Sequence, residues 1–241
     1  MPTVAVVQAR MGSSRLPGKS LAVLEGRPLV LWTVAAVEQI RGLDELVVAV
    51  PDDPADDELV AVLEAHGKRV HRGPPHDVLT RCWEAVAPWA PDVVVRQTAD
   101  NPFPEPALMT GQVERLISGP FDYVGPAGWP LGLAAEAARG DALEAAYREA
   151  REPAEREHVM PFIYARPERF RIGSLAPTSP PPPGRFTVDT DEDLAFARAI
   201  AARIRPGPGT MAELGRILAT EPELLEINQS VRQKPWQEAQ R

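Results

Sequence analysis

The sequence has little cysteine, little lysine and no long apolar run, and each scarcity excludes a class of protein. Cys82 is the only cysteine among 241 residues, which excludes an internal disulfide and a cluster of thiolate metal ligands. No stretch of about 18 apolar residues occurs, so a membrane-spanning helix is not expected. The start MPTVAVVQAR has no charged region before its apolar run, unlike a signal peptide. We expect a protein of the reducing cytoplasm.

The balance of charge argues against a second class of protein, the general nucleic-acid-binding proteins. The net charge of −8 argues against general binding of nucleic acid, because that binding is dominated by attraction to the phosphate backbone. It leaves open a small phosphorylated ligand, which responds to local charge. Lysine occurs only at Lys19, Lys68 and Lys234, so a lysine in a polar loop is unusual in this chain.

Short apolar runs alternate along the chain with longer segments of helical pattern. This alternation predicts an α/β fold with a Rossmann-like, mostly parallel sheet. We predict strands at residues 3–8, 46–50, 70–73, 93–97 and 185–190. The helices are expected at 28–40, 52–67, 77–89, 106–118, 191–204 and 211–222. Thr190 is expected to cap the helix that follows it.

The rhythm of strands and helices breaks at residues 120–175, which begin with many glycines and prolines and continue with a helical pair. We interpret the chain as a single domain, 1–241, with a small inserted lobe at about 120–175. A helical tail is expected at about 207–241.

The polar loop ARMGSSRLPGKS, residues 9–20, follows the first strand and carries Arg10, Arg15 and Lys19. In an open α/β sheet, ligands bind at the carboxyl ends of the strands, where this loop lies. Glycine lets a backbone approach phosphate closely, and arginine and lysine donate charged hydrogen bonds. The loop is not a P-loop, because Gly12 and Gly18 are one residue too far apart. The alternative is a solvated turn.

Five segments of the chain together resemble one family. Residues 5–21, which include VVQARMGSSRLPGKSL, are similar to the opening signature of the cytidylyltransferases. That family includes the CMP–sugar-acid synthetases and the SpsF-like proteins of spore-coat polysaccharide synthesis. RGPPHDVLTR, VVVRQTADNPFPEP, AEREHVMPFI and RFTVDTDEDL resemble further motifs of the family in the same order.

The resemblance implies an enzyme that transfers CMP from CTP to a sugar acid or related acceptor, with Mg²⁺ bound and pyrophosphate released. It also implies a homodimer that pairs through the inserted lobe. The phosphates would be held by Arg10, Arg15 and Lys19. The nucleotide would also contact Ala9, Gly12, Ser13, Ser14, Arg72 and Asp77. The metal would be bound by Asp100 and Asp189, and the acceptor would lie near Gly132, Glu136, Glu155 and His158.

Structural alternatives exist for several of these residues. Asp189 is suitably placed to be an anion at the start of a helix, and Asp100 to be a turn residue before Asn101-Pro102. Glu155 and His158 fit the polar face of a helix equally well.

The chain departs from the family pattern at two positions. Ala99 stands where the family has glycine, and Ala134 stands where it has an aspartate facing the acceptor. Two alternative functions therefore stay open. One is a nucleotide-binding relative without catalysis, and the other is a sugar nucleotidyltransferase that uses another nucleoside triphosphate.

Overall fold

The computed structural model describes residues 1–204 and 209–233, which form a seven-stranded sheet flanked by helices. Its strands are β1 (Thr3–Gln8), β4 (Glu45–Pro51), β5 (Arg69–Gly73), β6 (Val93–Thr98), β7 (Tyr123–Pro126), β8 (Glu136–Arg139) and β9 (Ile172–Leu175). Their order across the sheet is β5-β4-β1-β6-β8-β7-β9. The short strands β2 (Val23–Leu24) and β3 (Arg27–Pro28) form a separate hairpin.

Helices follow the strands much as the periodicity predicts. The first four are α1 (Leu29–Val37), α2 (Asp57–Ala65), α3 (Val78–Val86) and α4 (Pro106–Ser118). The others are α5 (Gly140–Glu149), α6 (Pro153–His158), α7 (Pro161–Tyr164), α8 (Asp191–Ala201) and α9 (Met211–Thr220). Thr190 caps α8 as expected, since its side chain accepts a hydrogen bond from the Asp193 N–H.

The sheet is mostly parallel, as predicted. β1 pairs in parallel with β4 and β6, and β4 pairs in parallel with β5. β8 is antiparallel to both β6 and β7, and β7 is parallel to β9. Both faces of β1 are buried: Val4 and Val6 pack toward α3 and α5, and Ala5 and Val7 toward α1, α2 and α4. The carboxyl ends of the parallel strands consequently form one edge, where the site lies.

Residues 120–175 supply three strands to this one sheet, and their helices α5, α6 and α7 pack beside α3. The single-domain organisation and the bounds of the inserted lobe stay predictions. The predicted tail begins with α9, and its residues 207–208 and 234–241 lie outside the described residues. Within residues 1–204 and 209–233, no helix combines the length and apolar character needed to cross a bilayer.

The strand predicted at residues 185–190 is wrong. This segment has no regular secondary structure and joins neither sheet, and β8 occupies the position beside β6. Its backbone bonds to loops instead: Phe186 N–H donates to Leu131 O at 2.8 Å, and Val188 N–H donates to Asp100 O at 2.8 Å. The second of these bonds brings Asp189 next to Asp100, so the aspartate reaches the sheet edge without a strand.

Candidate active site

Lys19 joins two aspartates that are far apart in the sequence. Its Nζ donates to Asp100 Oδ2 at 2.8 Å, to Asp189 Oδ1 at 2.9 Å and to the carbonyl oxygen of Val188 at 2.8 Å. Lys19 begins a 3₁₀ turn, Lys19–Leu21, and Asp100 follows β6 by two residues. The sequence assigned Lys19 to the phosphates and the aspartates to a metal, and the structure brings all three together.

Two arginines contact the second carboxylate oxygen of Asp189. Arg15 Nη2 lies 3.0 Å from Asp189 Oδ2, and Arg185 Nη2 lies 2.6 Å from the same oxygen. Burial alone would raise the pKa of Asp189, but the charges of Lys19, Arg15 and Arg185 outweigh burial and lower it. Asp189 therefore stays ionised at neutral pH. Thr190 provides the cap of α8, so Asp189 is not the capping residue.

A buried network that was not predicted from the sequence fixes Arg185. Arg185 Nε donates to Asp193 Oδ1 at 3.0 Å, and Asp193 is 1% exposed. Asn228 Nδ2 donates both to Arg185 O and to Asp193 Oδ1, each at 3.0 Å. Arg185 and Asp193 both belong to the segment RFTVDTDEDL, so that motif could have indicated them. No sequence signal indicated Asn228.

The phosphate-loop candidate presents unpaired backbone donors. The N–H groups of residues 12–15 have no hydrogen-bond partner within the described part of the chain. The loop is held at its ends: Met11 N–H donates to Asp56 Oδ1 at 2.6 Å, and Gly18 N–H donates to Met11 O at 2.9 Å. Burial raises the pKa of Asp56, an anchor that was not predicted from the sequence. Free N–H groups held in a fixed loop suit an anion.

The other predicted loop residues divide into exposed and structural groups. Arg10 and Ser14 are exposed, and Arg10 makes no ion pair with any residue that the structure describes. Ser13 Oγ accepts a hydrogen bond from Leu16 N–H at 3.3 Å, which shapes the turn. Ala9 is buried and donates its N–H to Ala49 O at 3.1 Å. A methyl group added at Gly12 would meet no atom within 4 Å, so packing within the chain does not require glycine there.

Arg72 and Asp77 are engaged by the protein itself. Arg72 Nη1 donates to Asp57 Oδ1 at 2.6 Å, which ties β5 to the start of α2. Asp77 caps α3 by accepting the Thr80 N–H at 2.9 Å, and it forms an ion pair with Arg156 of α6. These contacts give both residues structural roles. Their predicted contacts with the nucleotide stay predictions.

Glu136 belongs to a polar cluster at the carboxyl ends of β1 and β6. Arg96 Nη1 donates to Glu136 Oε2 at 2.8 Å, and Tyr123 O–H donates to Glu136 Oε1 at 2.7 Å. Gln8 Oε1 accepts two further bonds from Arg96, at 2.8 and 3.0 Å. Burial and then the charge of Glu136 raise the pKa of Tyr123. Arg96, Gln8 and Tyr123 were not predicted: Arg96 and Gln8 lie within strand patterns that indicate only packing, and Tyr123 lies in the segment 120–175, where the pattern of strands breaks.

His158 and Glu155 of α6 lie at different places. Burial lowers the pKa of His158, and the neighbouring charge of Glu157 only partly opposes this. Glu155 Oε1 instead pairs with Arg166 at 2.7 Å. Val159 then turns the chain with φ 72° and ψ −59°, a strained γ-turn closed by Met160 N–H and His158 O at 2.9 Å.

Gly132 has a role in packing that the sequence did not reveal. It adopts φ +95°, and a Cβ atom there would lie 2.3 Å from both Phe186 C and Thr187 N. Only glycine therefore lets the chain at 131–133 pack against the segment that carries Asp189. The neighbouring Ala134 uses its carbonyl oxygen to accept a bond from Gln97 Nε2 at 3.1 Å. Nothing in the structure explains why alanine stands at residue 134.

The carboxylate oxygens of Asp100 and Asp189 suit a hard divalent cation. Each presents a carboxylate, and one cationic group already contacts both. Among residues 1–204 and 209–233, no group of three or more His, Cys, Asp or Glu side chains is arranged to hold a metal. Two carboxylates are enough for Mg²⁺ when phosphate and water complete its coordination. The residues present therefore fit a metal that binds together with a nucleotide.

Comparisons with known proteins point to one family. The chain matches the family model described as cytidylyltransferase over residues 4–219. It is 34% identical over 230 residues to the spore coat polysaccharide biosynthesis protein SpsF of Bacillus subtilis, covering 90% of this chain and 94% of that protein. It is also 34% identical over 116 residues to the 3-deoxy-manno-octulosonate cytidylyltransferase of Anaeromyxobacter sp. strain K, covering 47% of each.

A solved structure supports the same fold. The cytidylyltransferase from Leptospira borgpetersenii superposes with a TM-score of 0.88 at 23% identity, covering 97% of this chain and 100% of that one. The family expected from the sequence motifs and the expected fold are both confirmed. The chain belongs to the cytidylyltransferase family and is a nucleotidyltransferase that uses CTP.

Proposed function

We propose that this enzyme transfers CMP from CTP to a sugar acid or related acceptor, with Mg²⁺ bound and pyrophosphate released. The observation that carries the proposal is the contact of Lys19 with both Asp100 and Asp189, next to a loop of unpaired N–H groups. Phosphoryl transfer depends on positioning of the reactants and on neutralisation of the charge of the phosphates. The loop and the charged side chains of this site could supply both.

Each group of residues has a definite task in this proposal. Arg10, Arg15 and the N–H groups of residues 12–15 bind the phosphates. Asp100 and Asp189 would hold Mg²⁺, which would neutralise charge on the phosphate oxygens. An oxygen atom of the acceptor attacks the α-phosphorus, and the bond from that phosphorus to the pyrophosphate oxygen breaks. No side chain is needed as a nucleophile.

We propose that the acceptor binds beside Glu136, whose carboxylate is held by Arg96, with His158 of α6 as a further candidate contact. Supporting evidence is the relation to a polysaccharide biosynthesis protein and to a cytidylyltransferase of a sugar acid. We infer a role in the synthesis of surface polysaccharide or of activated sugars. Such an enzyme works in the cytoplasm, where its nucleotide is available.

Release of pyrophosphate tests this function. Purified enzyme with Mg²⁺ and CTP is mixed with a panel of sugar acids, amino sugars and phosphonates, and CTP is then replaced by ATP, GTP or UTP. We expect release with CTP and at least one sugar acid, with the other nucleotides at least about tenfold less effective. A preference for UTP would point to a different nucleotidyltransferase. CTP binding without turnover on any acceptor would favour a relative without catalysis.

A methyl group at Gly12 tests whether the nucleotide lies against the loop. Gly12→Ala is expected to leave the free energy of unfolding within about 0.5 kcal/mol, because the new Cβ meets nothing in the protein. It should weaken CTP binding by about tenfold, because the methyl group takes space that the phosphates need. Calorimetry measures both quantities. Gly215→Ala in α9 makes the same change with equally free space and should leave CTP binding unaltered.

We also propose a homodimer that pairs through the segment 120–170, as the sequence resemblance implied. Light scattering at micromolar concentration is expected to give twice the mass of the 26.3 kDa chain. A mass of one chain at that concentration would contradict the pairing.

A further inference from the structure

Lys19 has no donor to spare. An ammonium group donates at most three hydrogen bonds. Lys19 donates all three to the protein, at 2.8 Å to Asp100, 2.8 Å to Val188 O and 2.9 Å to Asp189. Its side chain is only 11% exposed. Lys19 therefore cannot bind a phosphate without giving up at least one of these contacts.

The two carboxylates already share a cation. Lys19 Nζ lies within 3 Å of one oxygen of Asp100 and one of Asp189, the same pair proposed as metal ligands. A divalent cation that bound both carboxylates would compete with the ammonium group for them. Displacing the ammonium group would cost much binding free energy, because hydrogen bonds between charged groups are the strong ones in a partly buried site.

The charges that contact one another in this network are balanced. Three carboxylates meet three basic groups, so the network has no net negative charge to attract a free dication. Its members are Asp100, Asp189 and Asp193, and Lys19, Arg15 and Arg185. A nucleoside triphosphate changes this balance, because it brings several negative charges and new acceptors for an ammonium group.

We propose that Lys19 is the resident counter-cation of Asp100 and Asp189, and that it excludes a free divalent cation until a metal–nucleotide complex offers its ammonium group phosphate oxygens instead. The inference rests on the proposed function for the identity of the two metal ligands. It predicts that the metal and the nucleotide bind together, and that Lys19 weakens the binding of metal alone.

Binding of Mn²⁺ alone tests the inference, with free Mn²⁺ measured by electron paramagnetic resonance. The full-length chain is titrated without nucleotide as wild type, Lys19→Met and Lys19→Gln. We expect both variants to bind one Mn²⁺ at least about tenfold more tightly than wild type, because one unit charge a few ångströms from the ion is removed. The glutamine variant keeps hydrogen-bond donors if methionine disturbs the fold, and melting temperatures report folding.

Two controls locate the effect. Lys68→Met removes a lysine that pairs with Glu38 elsewhere in the chain, and it should leave Mn²⁺ binding at the wild-type level. Lys19→Met combined with Asp189→Asn should lose the tight site. Retention of tight binding in that double variant would place the ion elsewhere and overturn the inference.

A further test compares Mn²⁺ binding to the wild-type protein with and without CTP. Mn²⁺ should bind at least about tenfold more tightly in the presence of saturating CTP than in its absence. Equal affinity with and without CTP, or equal affinity of wild type and both Lys19 variants, would overturn the inference. Pyrophosphate release in that case would leave the proposed function intact, because the Mn²⁺ titration requires neither acceptor nor turnover.

Discussion

Asp189→Asn is expected to fold and to lose at least about a hundredfold in kcat, an increase of about 2.7 kcal/mol in the barrier. Asparagine keeps an oxygen that can accept the Lys19 hydrogen bond, but it removes the negative charge that a hard cation requires. The concentration of Mg²⁺ for half-maximal rate should rise. Steady-state kinetics over a range of Mg²⁺ measures both effects.

The change also removes a carboxylate that three basic groups contact, so the melting temperature should fall while the protein stays folded. Asp191→Asn is the matched control: it makes the same chemical change two residues along, at an exposed position of the first turn of α8. Its turnover should be close to that of wild type. Normal turnover of Asp189→Asn at low Mg²⁺ would show that the metal has been placed wrongly.

Gly132→Ala is expected to reduce the free energy of unfolding by about 2–6 kcal/mol. Alanine at φ +95° is strained by about 1–3 kcal/mol, and the overlap of its Cβ with Phe186 and Thr187 adds a similar amount. The overlap is with backbone atoms, so the segment carrying Asp189 must move. Turnover per folded molecule should therefore fall by about tenfold or more, as measured by denaturant unfolding and by kinetics under native conditions.

The control variant Gly128→Ala separates the effect of backbone strain from that of moving the segment that carries Asp189. Gly128 lies in the same loop at φ +70°, and a Cβ atom there would meet nothing within 4 Å. The control should lose only the strain energy, about 1–3 kcal/mol, with turnover retained. Equal losses of turnover in the two variants would show that Gly132 does not position Asp189.

Periodicity and motif order were enough to predict the parallel part of the sheet and most of its helices. The apolar runs at β1, β4 and β6 are buried on both faces, which is what such runs encode. Residues 185–190, RFTVDT, alternate polar residues with Phe186 and Val188 and do not form a strand. A strand-like pattern does not reveal whether a place in the sheet is free, and β8 fills the place beside β6.

The candidate site was predictable where local chemistry marked it. Asp100 follows a predicted strand, Asp189 lies in a strand-like segment and Lys19 is a rare lysine in a polar loop, so each could be singled out. Their mutual contact depends on the bond from Val188 N–H to Asp100 O, which the sequence does not reveal. The residues that hold these side chains in place come together only in the folded chain. Arg185 fixes Asp189 through Asp193 and Asn228, and Gly132 makes room for the same segment. No spacing along the chain encodes such contacts.

A crystal of the enzyme with CTP and Mn²⁺ would show where the metal and the triphosphate bind, because the anomalous scattering of manganese locates the ion. We expect one peak at carboxylate oxygens of both Asp100 and Asp189, with the triphosphate against the N–H groups of residues 12–15. Lys19 should have left at least one carboxylate for a phosphate oxygen. A manganese peak away from both aspartates, with CTP bound elsewhere than the loop, would contradict the account.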